Sequence, residues 1–217
     1  MSCSLNFREV EYACEDKTLF SNVVLNVGHE EKVAIIGPNG CGKSTLLKIA
    51  AGLICPTAGF VEIFHNKIND LKDFKSHRAN IGYLPQDVSN HFLCPTVIED
   101  VIFALRAKGE SKEDSIEKGM MLLDELGILH LRDRIIFELS GGEQKIVALA
   151  GLLILEPKIL LLDEPTNALD EEAEAKIITI LNRLKKSMII VSHHKSFIES
   201  LTPTIYKLNA LGLTKVQ

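Results

Sequence analysis

The segment Gly37-Pro38-Asn39-Gly40-Cys41-Gly42-Lys43-Ser44 follows an apolar run at residues 32–36 and precedes a stretch with helical spacing at residues 43–51. It fulfils the complete pattern Gly-x-x-x-x-Gly-Lys-Ser/Thr of a phosphate-binding loop. Glycines let backbone N–H groups curl toward phosphate oxygens, and the start of the following helix adds the positive end of its dipole. The sequence therefore predicts a strand, a phosphate-binding loop and a helix in that order.

Two side chains of this loop carry its chemistry. Lys43 can reach the β- and γ-phosphates of a nucleoside triphosphate, and the Ser44 hydroxyl can bind Mg²⁺. The other residues expected around the phosphates are Gly37, Asn39, Gly40, Cys41, Gly42 and Thr45. The loop alone does not separate a transporter ATPase from a kinase, a GTPase or a helicase.

Composition places the chain among ordinary globular domains. Its 217 residues are 46% hydrophobic and 24% charged, and its formal net charge of -5 provides no electrostatic footprint for nucleic acid. No apolar run approaches the roughly 20 residues of a membrane-spanning helix, and the polar N-terminus does not resemble a signal peptide. We therefore expect a cytoplasmic protein without a nucleic-acid partner, whose five scattered cysteines are free thiols.

The order of apolar patterns predicts an α/β fold. Short β-like runs dominate up to about residue 84, the first of them at residues 5–12, and β and α segments alternate again from residue 159 onward. Between about residues 95 and 155 only helical periodicity is found, and the last of these helical segments covers residues 143–155. This organisation favours a largely parallel sheet that is interrupted by a helical insertion.

Two further motifs complete the set. Leu139-Ser140-Gly141-Gly142-Glu143 lies about 20 residues before Leu161-Leu162-Asp163-Glu164-Pro165. Together with the phosphate-binding loop, this order resembles the ABC ATPase family, whose signature reads LSGGQ. The resemblance extends over nearly the whole chain, from Tyr12 to about Leu208.

The resemblance implies a fold, a domain organisation and two ligands. The fold is a RecA-like P-loop NTPase core sheet with an N-terminal antiparallel β subdomain and an inserted helical subdomain. Residues 1–217 then form one domain, with the core at about 1–86 and 157–217 and the helical insertion at about 87–156. The implied ligands are ATP and Mg²⁺, and the implied activity is ATP hydrolysis.

The same resemblance assigns roles to residues around the γ-phosphate. Asp163 is expected to hold the Mg²⁺ shell, and Glu164 to polarise the attacking water as a general base. Gln86 matches the glutamine that touches metal or water and couples the site to the helical insertion. His193 matches the switch histidine that contacts the γ-phosphate.

Other matches concern adenine and a second subunit. Tyr12 occupies the aromatic position on which adenine stacks, and Asp170 belongs to the loop at the dimer interface. Ser140, Gly141, Gly142 and Glu143 are expected to bind the nucleotide held by a partner subunit, which requires a two-fold homo- or heterodimer. Ser140-x-x-Glu143 is also a capping-box pattern, and the two interpretations are compatible.

Three departures and one further resemblance refine the prediction. Glu143 replaces the usual glutamine of the signature, and Ile146 and Gly151 stand where arginines are frequent. Gly151 and residues 92–101 resemble the energy-coupling-factor branch, which imports transition metals such as cobalt and nickel or vitamins such as biotin. We therefore expect a peripheral subunit on the cytoplasmic face of the cell membrane, bound to integral membrane transporter subunits. The alternatives are an exporter or lipoprotein-release ATPase, or a soluble ABC ATPase that does not transport.

Overall fold

The computed structural model of the protein describes residues 3–14, 17–68 and 70–216. These residues form ten strands and six α-helices. The strands are β1 (Cys3–Cys14), β2 (Lys17–Gly28), β3 (Lys32–Ile36), β4 (Ala58–Ile63), β5 (Asn66–Ile68), β6 (Ile81–Leu84), β7 (Ile159–Asp163), β8 (Ser187–Val191), β9 (Ile205–Asn209) and β10 (Gly212–Lys215). The helices are α1 (Lys43–Ala50), α2 (Val97–Ala107), α3 (Lys112–Glu125), α4 (Gly141–Leu153), α5 (Glu171–Arg183) and α6 (Lys195–Leu201).

A six-stranded sheet forms the centre of the molecule, in the order β10-β9-β3-β8-β7-β6. Its strands are parallel from β9 to β6, and only β10 runs antiparallel to its neighbour. Leu162 of β7 stands opposite Ile190 of β8. The C-terminal ends of β3, β7 and β8 therefore meet at one edge, where ligands bind in open parallel sheets.

Strand β7 shows why this sheet is buried on both faces. Its side chains alternate between two apolar clusters: Ile159 and Leu161 pack toward α1 and the N-terminal sheet. Leu160 and Leu162 pack on the opposite side, among the helices α4, α5 and α6. A continuous apolar run that ends in Asp163 is typical of a parallel strand covered on both faces, with its polar end at the ligand-binding edge.

A second, antiparallel sheet packs beside α1. Its order is β2-β1-β4-β5, and its inner face carries side chains such as Phe7, Phe20 and Leu25 that are 0–2% exposed. Ser21 N–H of β2 donates to the Ala210 carbonyl 3.1 Å away, which joins this sheet to the β9–β10 hairpin. The predicted N-terminal antiparallel subdomain is thus confirmed.

The segment between β6 and β7 contains helices and no strand among its described residues. Val101 of α2 and Leu123 of α3 are fully buried. A Cβ atom at Gly119 of α3 would lie 2.5 Å from Cγ2 of Ile102 on α2. Close packing of α2 on α3 thus depends on that glycine. The inserted helical subdomain is confirmed as part of the fold, and its limits at about residues 87 and 156 stay a prediction.

Several element boundaries differ from the sequence-based prediction. Helix α4 begins at Gly141 rather than at residue 143, because Ser140 caps it. Strands β5, β9 and β10 were not predicted, since runs of three to five residues carry too little alternation to be recognised. Strand β1 extends over Cys3–Cys14 rather than residues 5–12, because its backbone pairs with both β2 and β4.

Two findings concern the predictions about thiols and membrane helices. Cys14, Cys41, Cys55 and Cys94 carry free thiols, and the side chain of Cys3 lies outside the described part of the structure. Within the described residues, no helix has both the length and the apolar character that crossing a bilayer demands.

Candidate nucleotide site

The loop between β3 and α1 has the backbone of a phosphate cradle. Gly42, which caps α1, has a φ of 99°, in the left-handed region that favours glycine. A Cβ on Gly42 would also lie 2.7 Å from the ring of Phe20. Gly40 has a φ of 76° with open space around it. The loop therefore requires glycine at both positions and leaves its concave side free.

Lys43 is folded into the centre of this cradle. The residue is 7% exposed, and its Nζ donates to the carbonyls of Gly37 at 2.9 Å and Pro38 at 3.0 Å. An ammonium group has three donors, so one remains for an anion. The contacts place a positive charge beside the N-terminus of α1, which already favours anions.

Asp163 lies at the end of β7 and faces Ser44 of α1. Asp163 is 3% exposed, and this burial raises the pKa of its carboxyl group above the ordinary value. A hydrogen bond with Ser44 and the charges of Lys48 and Lys43 offset part of that rise. Its Oδ1 atom is buried and has no hydrogen-bond partner among the described residues. A carboxylate oxygen without a partner beside a hydroxyl fits a site for Mg²⁺, which prefers oxygen ligands.

Glu164 is oriented by the neighbouring strand β8 and by His193. Its backbone N–H donates to the Val191 carbonyl at 2.9 Å. The Oε1 atom lies 3.2 Å from Nε2 of His193, and Oε2 accepts the His193 backbone N–H at 3.3 Å. The residue is 7% exposed and has a φ of 47°. One backbone hydrogen bond and one ion-pair contact with His193 thus orient the carboxylate at the cavity wall, and Oε1 has no hydrogen-bond partner among the described residues.

These groups line one open cavity of about 650 Å³. That volume lies within the range of pockets that hold drug-sized or nucleotide-sized ligands. The predicted residues that line it are Asn39, Gly40, Gly42, Lys43, Ser44, Thr45, Gln86, Asp163, Glu164 and His193. The structure thus gathers the phosphate-binding loop, the acidic pair, the glutamine and the histidine around a single space.

Four residues of this cavity were not predicted as site residues from the sequence: Leu19, Asn167, Val191 and His194. His194 Nδ1 lies 3.3 Å from Oε2 of Glu174 on α5. Asn167 follows Glu164 in a turn, where its backbone N–H donates to the Glu164 carbonyl at 3.1 Å. His194 directly follows the predicted His193, and Asn167 lies three residues after the predicted Glu164, so their closeness in sequence could have indicated both. No pattern in the sequence indicated Leu19.

Tyr12, Gly37 and Cys41 were predicted to contact nucleotide but do not line this cavity. Gly37 packs against the Leu208 carbonyl and the Cys41 thiol, which would lie 2.6 Å and 3.0 Å from a Cβ at that position. Tyr12 pairs with Phe20 across β1 and β2, with ring centroids 6.4 Å apart. It is therefore close to the cavity residue Leu19, and its contact with adenine stays a prediction.

The signature residues form a separate surface at the start of α4. Ser140 and Glu143 make the complete capping box: Ser140 Oγ accepts the Glu143 N–H at 3.3 Å, and Glu143 Oε2 accepts the Ser140 N–H at 2.8 Å. Hydrogen bonds from Ser140 hold the pKa of Glu143 below its ordinary value. The Glu143 carboxylate is therefore turned back onto its own helix. Gly141 is exposed, and a Cβ there would meet no atom within 4 Å.

Gly142 and Asp170 connect this surface to α5. A Cβ on Gly142 would lie 2.9 Å from Cβ of Ala173, so α4 and α5 approach closely only with glycine at this position. Asp170 caps α5 by accepting the Ala173 N–H at 2.8 Å. None of the signature residues lines the chain's own phosphate cavity. A role in nucleotide binding for Ser140 therefore requires another subunit.

Comparison with known proteins agrees with this geometry. The sequence profile of the ABC transporter family matches residues 20–167. A putative ABC transporter ATP-binding protein of Brucella suis biovar 1 is 40% identical over 198 residues, 91% of this chain and 82% of that protein. The energy-coupling factor transporter ATP-binding protein EcfA of Methanothermobacter thermautotrophicus is 35% identical over 211 residues, 95% of this chain and 68% of that protein.

Solved structures show the same fold. The cbiO1 protein of Clostridium perfringens, described as part of the ABC transporter complex cbiONQ, superimposes with a TM-score of 0.87 at 30% identity, covering 99% of this chain and 88% of that one. The ATP-binding cassette MJ0796, in a dimeric post-hydrolysis state bound to ADP and Pi, gives a TM-score of 0.86 at 30% identity, with coverage of 98% and 99%. The chain therefore belongs to the ABC transporter family, as an ATP-binding and ATP-hydrolysing domain.

Proposed function

We propose that this ATP-binding subunit of an ABC transporter powers energy-coupling-factor-type import of a transition metal ion or a vitamin. Its similarity to an EcfA protein and to a cbiO protein supports this branch. Gly151 and residues 92–101, which resemble the same branch, add support from within the chain. The observation that carries the catalytic part of the proposal is the cavity in which Lys43, Asp163 and Glu164 meet.

In this proposal the phosphate loop binds ATP through its backbone N–H groups, Lys43 and Thr45. Lys43 neutralises the β- and γ-phosphates, and Tyr12 stacks on adenine. Ser44, Asp163 and Gln86 would hold Mg²⁺, consistent with the Asp163 oxygen that has no partner among the described residues. When bound, Mg²⁺ supplies positive charge to the phosphate oxygens on which negative charge develops.

Glu164 acts as the general base of this site. Its Oε1 atom lies at the cavity wall, 3.2 Å from His193 Nε2, so the imidazole can fix the orientation in which the carboxylate accepts a proton from water. The His193 side chain is 45% exposed and lines the same cavity as Lys43. It is thereby suited to contact the γ-phosphate beside Glu164.

The signature surface acts on a second subunit. The exposed N–H groups at the start of α4 and the Ser140 hydroxyl form an anion site, and Asp170 lies on the adjoining helix α5. A homo- or heterodimer places this site against the nucleotide of the partner, and the dimeric state of MJ0796 supports such an arrangement. Glu143 Oε2 lies 2.8 Å from both the backbone N and the Oγ of Ser140, so this carboxylate must release Ser140 when the partner's phosphate binds there.

A groove beside Gln86 provides a surface for the membrane subunit. It has a volume of about 220 Å³ and is lined by residues such as Phe92, Leu93, Phe103 and Gly151. Leu93 is 71% and Phe103 is 43% exposed, and exposed apolar side chains in a concave surface favour a protein partner. Docking here would hold the subunit at the cytoplasmic face of the membrane and connect Gln86 to transport.

Uptake measurements test the import proposal. Cells that lack this gene should lose uptake of one of three radiolabelled cargoes, cobalt, nickel or biotin, and the wild-type gene should restore it. Glu164→Gln should not restore uptake, because its ATP hydrolysis is too slow to drive transport. Unchanged uptake of all three cargoes, with an ATPase-active purified protein, would contradict import of these cargoes and favour the exporter alternative.

A further inference from the structure

A buried lysine connects the start of α4 to the turn that follows β7. Lys145 is 5% exposed, and its Nζ donates to the Glu164 carbonyl at 3.0 Å and to the Asn167 carbonyl at 2.8 Å. It lies five residues after Ser140 on the signature helix. The two accepting carbonyls belong to the segment that carries the general base.

Burial of this ammonium group is costly, and its surroundings compensate for the cost only in part. Desolvation lowers the pKa of Lys145 below its ordinary value, and the charges of Glu164 and Asp87 offset only part of that shift. Its neighbours Ile146 and Val147 are buried apolar residues, so an apolar side chain would also suit this helix. A buried charge in such a position indicates a requirement for its two hydrogen bonds.

The turn that Lys145 contacts has an unfavourable backbone. Glu164 has a φ of 47° and Ala168 a φ of 61°, in the left-handed region where residues other than glycine are rare. Such conformations persist when the surrounding contacts hold them. The Glu164 carbonyl accepts both the Asn167 N–H and Lys145 Nζ. Lys145 thus holds both ends of the turn from which Glu164 and Asn167 reach the nucleotide cavity.

We propose that Lys145 is a positioning residue for ATP hydrolysis, which fixes the Glu164 carboxylate through its backbone and couples it to the signature helix. This proposal rests on the function proposed above. In a dimer, the start of α4 contacts the partner's nucleotide, while Glu164 acts on the nucleotide of its own chain. Closure around one nucleotide is thereby transmitted through Lys145 to the base at the other.

Lys145→Met is the informative substitution, since it keeps an unbranched chain of similar volume and removes the donors. We expect kcat for ATP hydrolysis to fall about 10- to 100-fold, the scale of a misplacement of roughly 1 Å. KM for ATP should change less than about twofold, because Lys43 and the phosphate loop are untouched. Lys145→Gln, which keeps a shorter donor, should give an intermediate kcat.

Lys176→Met is the matched control. Lys176 of α5 also joins the core to the helical insertion, by donating to the Gly127 carbonyl at 2.9 Å, but it lies outside the nucleotide cavity. It should keep wild-type kcat. An equal loss in both methionine variants would mean that loosened packing, rather than Glu164, is responsible, and would overturn the proposal.

A wild-type kcat in Lys145→Met would also overturn the positioning role of Lys145. A rise in KM for ATP with an unchanged kcat would overturn it too. If Lys145→Met does not fold, as judged by circular dichroism, kcat and KM of Lys145→Gln decide between the same outcomes. Failure of the underlying function looks different: wild-type protein without ATPase activity, or Glu164→Gln with wild-type turnover, would contradict the general-base assignment itself.

Discussion

Asp163 and Glu164 are neighbours in the sequence, but their carboxylates have different surroundings. Asp163 faces Ser44 within the molecule, and one of its oxygens has no partner in the part of the chain that the structure describes. Glu164 faces His193 at the cavity wall. Both carboxylates keep an oxygen without a hydrogen-bond partner among the described residues, so their neighbours distinguish them: the Ser44 hydroxyl suits a metal site and the His193 imidazole suits a base.

Glu164→Gln should bind ATP but hydrolyse it about 10²- to 10⁴-fold more slowly, the range over which a general base contributes. The amide keeps the shape of the side chain and loses its ability to accept a proton. Steady-state phosphate release and ATP binding measure the two effects separately. Glu172→Gln on the exposed first turn of α5 serves as a control and should retain full activity.

Asp163→Asn should raise the melting temperature of the nucleotide-free protein at neutral pH. Burial raises the pKa of Asp163 in the folded state, so ionisation of Asp163 begins to reduce stability above its unfolded-state pKa, and the loss is complete once the pH exceeds the folded-state pKa. Below about pH 4, Asp163 becomes protonated in the unfolded chain as well, and the difference between the proteins should disappear. Thermal unfolding of both proteins at several pH values measures this difference in melting temperature.

The same variant should lose Mg²⁺-dependent hydrolysis, because one expected ligand oxygen is replaced by an amide group. A variant that is less stable than wild type at neutral pH would show that the Asp163 carboxylate stabilises the fold instead. Retained Mg²⁺-dependent turnover would contradict its role as a ligand.

At the scale of elements, helix α4 combines a structural and a proposed functional role at one end. The capping box satisfies backbone groups that a helix N-terminus otherwise leaves without partners. It also accommodates the replacement of the usual signature glutamine by Glu143, since the carboxylate bonds to Ser140 at 2.8 Å. The departure from the family pattern is therefore consistent with an intact helix start.

Glu143→Gln should destabilise the protein by about 0.3–1 kcal/mol at neutral pH, the effect of a negative charge near a helix N-terminus. Hydrogen bonds with Ser140 lower the pKa of Glu143, so its contribution is present above the unfolded-state pKa and is lost as the pH falls through the folded-state pKa. Urea unfolding between about pH 3 and 7 tests this.

Glu113→Gln, in the first turn of α3, is the control for helix-dipole effects without a capping box. The Glu143 variant should lose more stability at neutral pH than the Glu113 variant. Equal losses in the two variants would mean that the contacts between Glu143 and Ser140 add nothing to the effect of charge.

The sequence predicted the elements whose chemistry is local. The loop at residues 37–44, the apolar strand before Asp163 and the helical segment around Leu123 each carry their own pattern and were recognised. Strands β9 and β10 were missed because runs of four or five residues carry too little alternation, and β9 is held by pairing with the distant strand β3. Lys145 was missed as well, since contacts with carbonyls 19 and 22 residues away leave no local signal.

At the scale of the whole molecule, the two proposed nucleotide-contacting surfaces are separate within one chain. The phosphate cavity lies at the ends of β3, β7 and β8, and the exposed Gly141 belongs to another surface. A further cavity of about 330 Å³, lined by residues such as Gln86, Lys145 and Asn167, lies between the two surfaces. Closure of a dimer would place the phosphate cavity of one chain and the signature surface of the other on the same nucleotide.

Glu164→Gln with ATP should therefore form a dimer of twice the 24.0 kDa chain mass, because slow hydrolysis preserves the closed state. Light scattering after size exclusion measures the mass with and without ATP. If the variant stays a monomer when it is saturated with ATP, the homodimer is excluded, and pairing with a related ATPase subunit is the form of the dimer that is left.

The structure of Glu164→Gln with Mg·ATP, determined in its assembled transporter, tests the central claim most directly. We predict that each nucleotide lies between the phosphate loop of one ATPase subunit and the Ser140 turn of the other, at hydrogen-bond distance from both. ATP held by Lys43 and Ser44, with no Ser140 turn or equivalent signature residue of a second subunit facing its γ-phosphate, would contradict the account.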